Sequence, residues 1–197
     1  MREIRPPSET LSRREQIVAT AATLFAERGY HGVTIEELGT AVGISGPGIY
    51  KHFASKQAVL ADMLISISSH LLAGGEREIE RSASPSDALT RLINFHTDFA
   101  LSRPELIRVQ EHDLANLSMS EAREVRRLQR AYVELWVAIL QEIDAELNPL
   151  EARTRAHAVF GLLNSTPHSA RANESPLAGV VLRQMARAAL AIGAIEL

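Results

Sequence analysis

Cysteine is absent from the 197 residues, which excludes disulfides, thiol nucleophiles and thiolate-held metal centres. Lysine is nearly absent as well, since only Lys51 and Lys56 occur. Charge of one sign is missing too. The formal net charge is −3, so any polyanion must be met by a local patch rather than by the field of the whole chain. No apolar run near the roughly 20 residues that span a bilayer is expected, and the opening MREIRPPSETLSRRE holds no apolar stretch of the kind a secretory signal carries. These absences predict a soluble, cytoplasmic protein with no membrane partner.

Alternating strand patterns are also missing, and helical spacing fills the chain. Apolar residues recur three and four apart in Ile17, Ala21, Leu24 and Phe25, in Ile35, Leu38 and Val42, and in Leu60, Met63, Leu64, Ile67 and Leu71. The pattern returns in Leu89, Leu92, Ile93, His96 and Phe99, and again from Leu128 through Tyr132, Trp136 and Ile139 to Leu147. Start signals agree with it: Thr34 with Glu37, Ser84 with Pro85 and Asp87, Ser118 with Glu121, Asn148 with Pro149 and Glu151, Ser175 with Pro176. In each, a side-chain oxygen can accept from a first-turn amide that has no intrahelical partner. The reading is all-α, with about nine helices.

Both lysines and the densest cluster of glycines lie before residue 57. That shift divides the chain into residues 1–56, an N-terminal arm and three-helix unit, and residues 57–197, a larger helical body. In the first part, helix one should stop at Gly29, Thr34 should cap a short second helix, and the chain should turn tightly at Gly43. Ser45 then caps a third helix of about two turns, with Pro47 in the first turn, where its missing N–H costs nothing. Ile49 and Phe53 share one face and would anchor it, leaving Tyr50, Lys51 and His52 turned toward a partner. Gly46 and Gly48 permit close backbone approach, while weakening the helix by up to ~1 kcal/mol each relative to alanine. A helix–turn–helix of this kind places its third element in the DNA major groove.

Residues 11–60 resemble the DNA-binding region of the tetracycline-repressor (TetR) family of transcriptional regulators. The resemblance rests on LFAERGY, the capped TIEEL, the turn VGIS, the IYKHF run and the SK pair that opens helix four, all in fixed spacing. It implies that Thr34, Tyr50 and Lys56 contact phosphates, and that Ser45, Gly46, Gly48, Lys51 and His52 lie at or near base edges and adjoining backbone. Gly46 departs from the family, whose recognition helix often has a lysine or arginine there. That departure raises the weight of DNA shape and of Arg5, Arg13 and Arg14. Composition alone does not suggest DNA, because residues 1–56 hold seven Lys/Arg against six Asp/Glu. The family also implies a palindromic double-stranded operator, a homodimer and a small-molecule effector that releases a repressor from DNA.

Beyond helix four the resemblance is one of architecture. The small-residue stripe of Leu182, Met185, Ala186, Ala189 and Leu190 on the last helix, with Ala156, Val159, Phe160 and Leu163 on helix eight, suggests a four-helix interface between two copies. Polar residues on apolar stripes mark a candidate effector pocket: His96, Asp113, Asn164 and His168, with Tyr132 and Trp136 as aromatic walls. The effector would be apolar or acyl-like, and Arg123, Arg126, Arg127 and Arg130 could meet an anionic end of it. Two other readings have weaker grounds. A metal-responsive regulator would draw on His96, His112, Asp113, His157 and His168, yet no close ligand spacing occurs. A helical-bundle enzyme would use His96 or His112 with Asp113 as general base, without a nucleophile motif or phosphate loop. No cofactor and no metal are implied.

Overall fold

The computed structural model describes residues 11–168 and 176–190. Those residues carry nine α-helices, two short 3-10 turns and no strand, in agreement with the all-α reading. The helices are α1 (Arg13–Arg28), α2 (Ile35–Ala41), α3 (Gly46–Ile49), α4 (Lys56–Glu80), α5 (Pro85–Ser102), α6 (Pro104–Asp113), α7 (Met119–Ile143), α8 (Pro149–Leu163) and α9 (Pro176–Leu190). Caps set most of the starts. Thr34 with Glu37 and Ser118 with Glu121 form reciprocal capping boxes, and Ser84 and Asn148 accept from the amides of Asp87 and Glu151. Ser12 with Glu15 adds a capping box that the sequence reading passed over. Ser175 lies outside the described residues.

Two expectations need correction, for the third helix and for α4. The third helix is a single turn of four residues rather than two turns; the chain then continues through tighter turns in which the His52 amide donates to Ile49 O at 2.9 Å. Two glycines and a proline leave little intrinsic helicity there, and burial of Ile49 and Phe53 holds the segment in place. Helix α8 ends at Leu163, ahead of Pro167, which sits in the 3-10 turn Thr166–His168. Helix α4, finally, is long and apolar enough to cross a membrane by length and composition, with a mean hydropathy of 1.4 in its window. Its apolar residues have another use, since 56% of that window is buried inside the fold.

Helix α4 is the element on which the others pack. It lies against α1 at its N-terminal end and against α5 and α7 along its length, while α8 and α9 pack on each other and on α7 and α5. One apolar core runs from Ile17, Phe25, Leu38 and Ile49 through Leu60 and Leu64 to Trp136 and Leu140. Helix α6 crosses back to pack on α1.

Glycine sets the geometry of the α2–α3 corner. Gly43 turns the chain at φ +72°, a conformation that a Cβ disfavours. At Gly39 an added Cβ would lie 2.9 Å from Ile44 O and 3.0 Å from Gly46 N, backbone atoms that cannot retreat without moving α3. Gly39→Ala is therefore expected to lower stability by about 1–3 kcal/mol, seen as a lower urea midpoint with an unchanged slope, whereas Gly161→Ala, inside helix α8 with nothing near its Cβ, should raise the midpoint, by up to about 1 kcal/mol of stability.

Candidate nucleic-acid interface and buried cavity

The short helices α2 and α3 meet at the Gly43 turn and present one outward surface. Thr34, Ser45, Tyr50 and Lys51 are exposed on it, Tyr50 to 55%, while Gly48 and His52 are half-buried and Gly46 is buried. Two of these side chains have local duties. Thr34 Oγ1 accepts from the Glu37 amide at 3.1 Å, and the Glu37 carboxylate, held below its ordinary range chiefly by the Thr34 N–H it accepts, closes the box. Ser45 Oγ accepts from the Gly48 amide at 3.2 Å and so caps α3.

Three further cations of this region donate to backbone carbonyls of the unit itself. Lys56 Nζ donates to Tyr30 O at 2.8 Å and to Val33 O at 2.7 Å, and lies 4.3 Å from the centre of the Tyr30 ring. Arg14 donates to His52 O at 2.7 Å, pairs with Asp62 at 2.6 Å and covers the Phe53 ring at 4.0 Å. Arg13 donates to Val42 O at 3.0 Å. The sequence reading had Arg13 and Arg14 free to reach DNA; Arg5, named with them, lies outside the described residues.

A second polar site is buried in the body. A cavity of about 200 Å³ lies among α4, α5, α6, α7 and α8. Of the six residues expected there, His96, Tyr132, Trp136 and Asn164 come together. His96 Nδ1 lies 3.3 Å from Tyr132 Oη, and His96 Nε2 lies 3.0 Å from Asn164 Oδ1. One tautomer satisfies both contacts: the phenol donates to Nδ1 and Nε2–H donates to the amide oxygen. Trp136 and Phe160 close the cluster, with ring centres 4.9 Å apart. Trp136 Nε1 is buried without a hydrogen-bond partner; it is near enough to Tyr132 to ease the ionisation of the phenol slightly, but burial dominates and raises that pKa.

Asp113 and His168 are not at this site. Asp113 is buried at the end of α6, where its carboxylate accepts from the Tyr30 amide and from Asn116, both at 3.3 Å. Burial there raises its pKa. It joins the body to the α1–α2 connection. His168 is exposed and lies 3.7 Å from Glu111. Sequence reasoning missed Ser68, Gln110 and Gln129, and named His157 only as a candidate metal ligand, yet all four also line the cavity. The last two were findable, since each lies three residues before a residue singled out, Tyr132 or Phe160, and so on the same helical face.

Among the described residues no group of three or more His, Asp or Glu side chains is arranged to hold a metal. A larger cleft of about 1070 Å³ opens between α1, α4 and α5. Its charged rim is already paired, Arg14 with Asp62, Arg103 with Glu105 and Asp98 with Arg183. In the smaller cavity the polar atoms of Tyr132, His96 and Asn164 converge instead.

An outward helix–turn–helix surface joined to a helical body with an internal cavity defines a DNA-binding regulator. The family model for bacterial regulatory proteins of the tetR family matches residues 17–63, and that for the tetracyclin repressor-like C-terminal domain matches residues 82–168. The chain belongs to the TetR family, whose members are DNA-binding transcriptional regulators and not enzymes. It is 27% identical over 137 residues to the HTH-type transcriptional repressor KstR2 of Mycolicibacterium smegmatis, covering 69% of this chain and 67% of that one. Its fold matches a TetR-family transcriptional regulator from Bordetella parapertussis with a TM-score of 0.84 at 22% identity, over 95% of this chain and 98% of that one. It also matches AibR, solved in complex with isovaleryl coenzyme A and operator DNA, with a TM-score of 0.76 at 17% identity over 90% and 97% of the two chains.

His96 carries a pH prediction. Burial pushes its pKa from 6.5 down to about 4, against the smaller upward pull of Asn164. The unfolded chain therefore binds the proton first. The stability held at neutral pH is lost as pH falls through the window from 6.5 to about 4, by about 2 kcal/mol between pH 7 and 5. Urea titrations of wild-type and His96→Gln protein at the two pH values should show that difference in the wild type alone.

Proposed function

We propose that this regulator is a homodimeric repressor that leaves a palindromic operator when a small acyl compound enters the His96 cavity. Residues 1–56 form its DNA-binding unit and residues 57–197 its effector and dimer body, and it acts on DNA in the cytoplasm. The observation that carries the reading is the hydrogen-bonded row of Tyr132, His96 and Asn164 in a cavity that Leu71, Phe99, Ile107, Val133 and Phe160 also line. With Tyr132 and His96 donating along the row, the Asn164 amide N–H is the donor left over, and a neutral donor suits a carbonyl rather than a charged group. The volume, about six waters at roughly 30 Å³ each, suits a short or branched acyl group. AibR is complexed with isovaleryl coenzyme A, whose acyl group is short and branched. Arg126 and Arg130 continue the α7 face of Gln129 and Val133 by helical spacing and are exposed, a suitable place for the phosphates of a coenzyme A thioester.

On the DNA side, Tyr50 and Lys51 meet the duplex together with the backbone at Ser45, Gly46 and Gly48, with His52 and Thr34 at the edges. In the dimer, two such surfaces read half-sites about one helical turn apart or a multiple of it. The pairing face shares with the stripe read from the sequence only its exposed members, Met185 and Ala189. Ala186, Leu190, Ala156, Val159 and Leu163 are buried in their own chain, and Leu182 packs on the same core. The exposed apolar side of α9 is Leu177, Val180, Val181 and Met185, the first 65% exposed. On α8 it is Ala158 and Gly161. An apolar stripe of this length on a terminal helix is the kind of surface that a second copy covers. The enzyme alternative has no support, because the partners of His96 are Tyr132 and Asn164, with Asp113 elsewhere.

Two measurements check this. The full-length protein should select a palindromic duplex from a random pool, bind it as two chains per duplex, and lose at least tenfold affinity on Tyr50→Ala or on addition of isovaleryl coenzyme A. Met185→Asp should shift the protein to monomer in native mass spectrometry and abolish tight binding. Failure to select any duplex, or unchanged affinity with every short acyl thioester tried, would sink the repressor reading or the effector class respectively.

A further inference from the structure

The family resemblance assigns Lys56 to a DNA phosphate, yet its ammonium is already placed. Two of its three protons point at Tyr30 O and Val33 O, at 2.8 and 2.7 Å, and the charge rests 4.3 Å from the Tyr30 ring centre. Those carbonyls belong to the connection between α1 and α2, outside either helical ladder. Arg13 and Arg14 do the same for the other two connections of the unit: Arg13 holds Val42 O at the end of α2, and Arg14 holds His52 O after α3. Each loop that joins the short helices is thus tied by a cation from a longer helix, α1 or α4. Helices of seven and four residues are too short to stand on their own propensity, so ties of this kind decide where the outward surface sits.

We infer that Lys56 is a positioning residue that fixes the α1–α2 connection for DNA binding, with Arg13 and Arg14 in parallel roles, and that Lys51 carries the ionic contact of the described surface. The inference rests on the DNA-binding reading and reassigns one of its residues. Lys51 is exposed and makes no ion pair among the described residues. Tyr30 is held from its other side by Asp113, whose carboxylate accepts the Tyr30 N–H at 3.3 Å. The Tyr30 backbone is therefore gripped between α4 and α6, and Thr34, the cap of α2, follows four residues later.

A phosphate contact and a positioning contact differ in salt dependence. Removing a cation that neutralises a phosphate lowers the slope of log K against log salt by about one per protomer, whereas removing a positioning cation lowers affinity equally at every salt. The test uses the full chain on the duplex that the wild type selects, at several salt concentrations. Lys51→Ala is expected to lower the slope, and Lys56→Met to cost about tenfold in affinity with the slope unchanged. Lys56→Arg should also lose affinity, since a planar guanidinium cannot take the place of one compact ammonium between two carbonyls and a ring face; retained affinity in Lys56→Arg, or a lower slope in Lys56→Met, overturns the inference. Hydrogen–deuterium exchange without DNA separates this inference from the DNA reading itself. Lys56→Met should speed exchange of the amides at residues 30–34 by tenfold or more while Tyr50→Ala leaves them unchanged, and unaltered exchange in Lys56→Met would overturn it whatever the DNA result.

Discussion

Continuous burial of α4 ties the two ends of this molecule together. A helix of 25 residues extends about 38 Å at 1.5 Å per residue, and its successive turns face different tasks. Lys56 in its first turn holds the α1–α2 connection, Val59, Leu60, Met63 and Leu64 enter the core shared with α1, and Ser68 and Leu71 wall the cavity. No proline interrupts it, and its Gly74–Gly75 pair lies past Leu71, so the stretch from Lys56 to Leu71 carries a displacement as one piece. Helix α6 makes a second link. Ile107 and Gln110 line the cavity, while Arg108 donates to Pro167 O at 2.8 Å and Asp113 reaches the Tyr30 amide. A ligand that alters the seat of either helix changes the position of the outward surface through packed atoms, and its effect on DNA is bounded by how differently it binds the two arrangements.

The cavity chemistry follows from what burial does to charge. Desolvation keeps His96 neutral at physiological pH and Tyr132 protonated, so the site has directed dipoles and no ion. That favours neutral polar ligand groups over carboxylates, which would enter without a counter-charge. The unpartnered indole N–H of Trp136 is a buried donor of the kind that costs stability unless something accepts from it.

Much of this was legible in the sequence because local chemistry fixed it. Capping pairs such as Thr34 with Glu37 and Ser118 with Glu121 act over three residues, and the turn glycines Gly29 and Gly43 both have positive φ as their places between helices required. His96, Tyr132, Trp136 and Asn164 were found because polar or aromatic groups on an apolar stripe must be near one another when the stripes pack. Other features depended on tertiary contacts that no spacing encodes. Asp113 lies on an apolar stripe like His96, and only the crossing of α6 over α1 sends it to Tyr30 instead of the cavity. The α9 stripe divides, with Leu182, Ala186 and Leu190 on their own core and Met185 and Ala189 exposed, and periodicity cannot say which apolar face meets its own core. The family resemblance implies a phosphate contact for Lys56, and no spacing shows that its ammonium lies against the carbonyls of Tyr30 and Val33.

Native mass spectrometry of the protein with its selected duplex, before and after isovaleryl coenzyme A, tests the central claim most directly, since stoichiometry, ligand and DNA are read from one spectrum. The account predicts two chains on one duplex, replaced after addition by a ligand-bearing dimer and free DNA. A dimer that carries the ligand and stays on the duplex would contradict the coupling between the His96 cavity and the DNA surface.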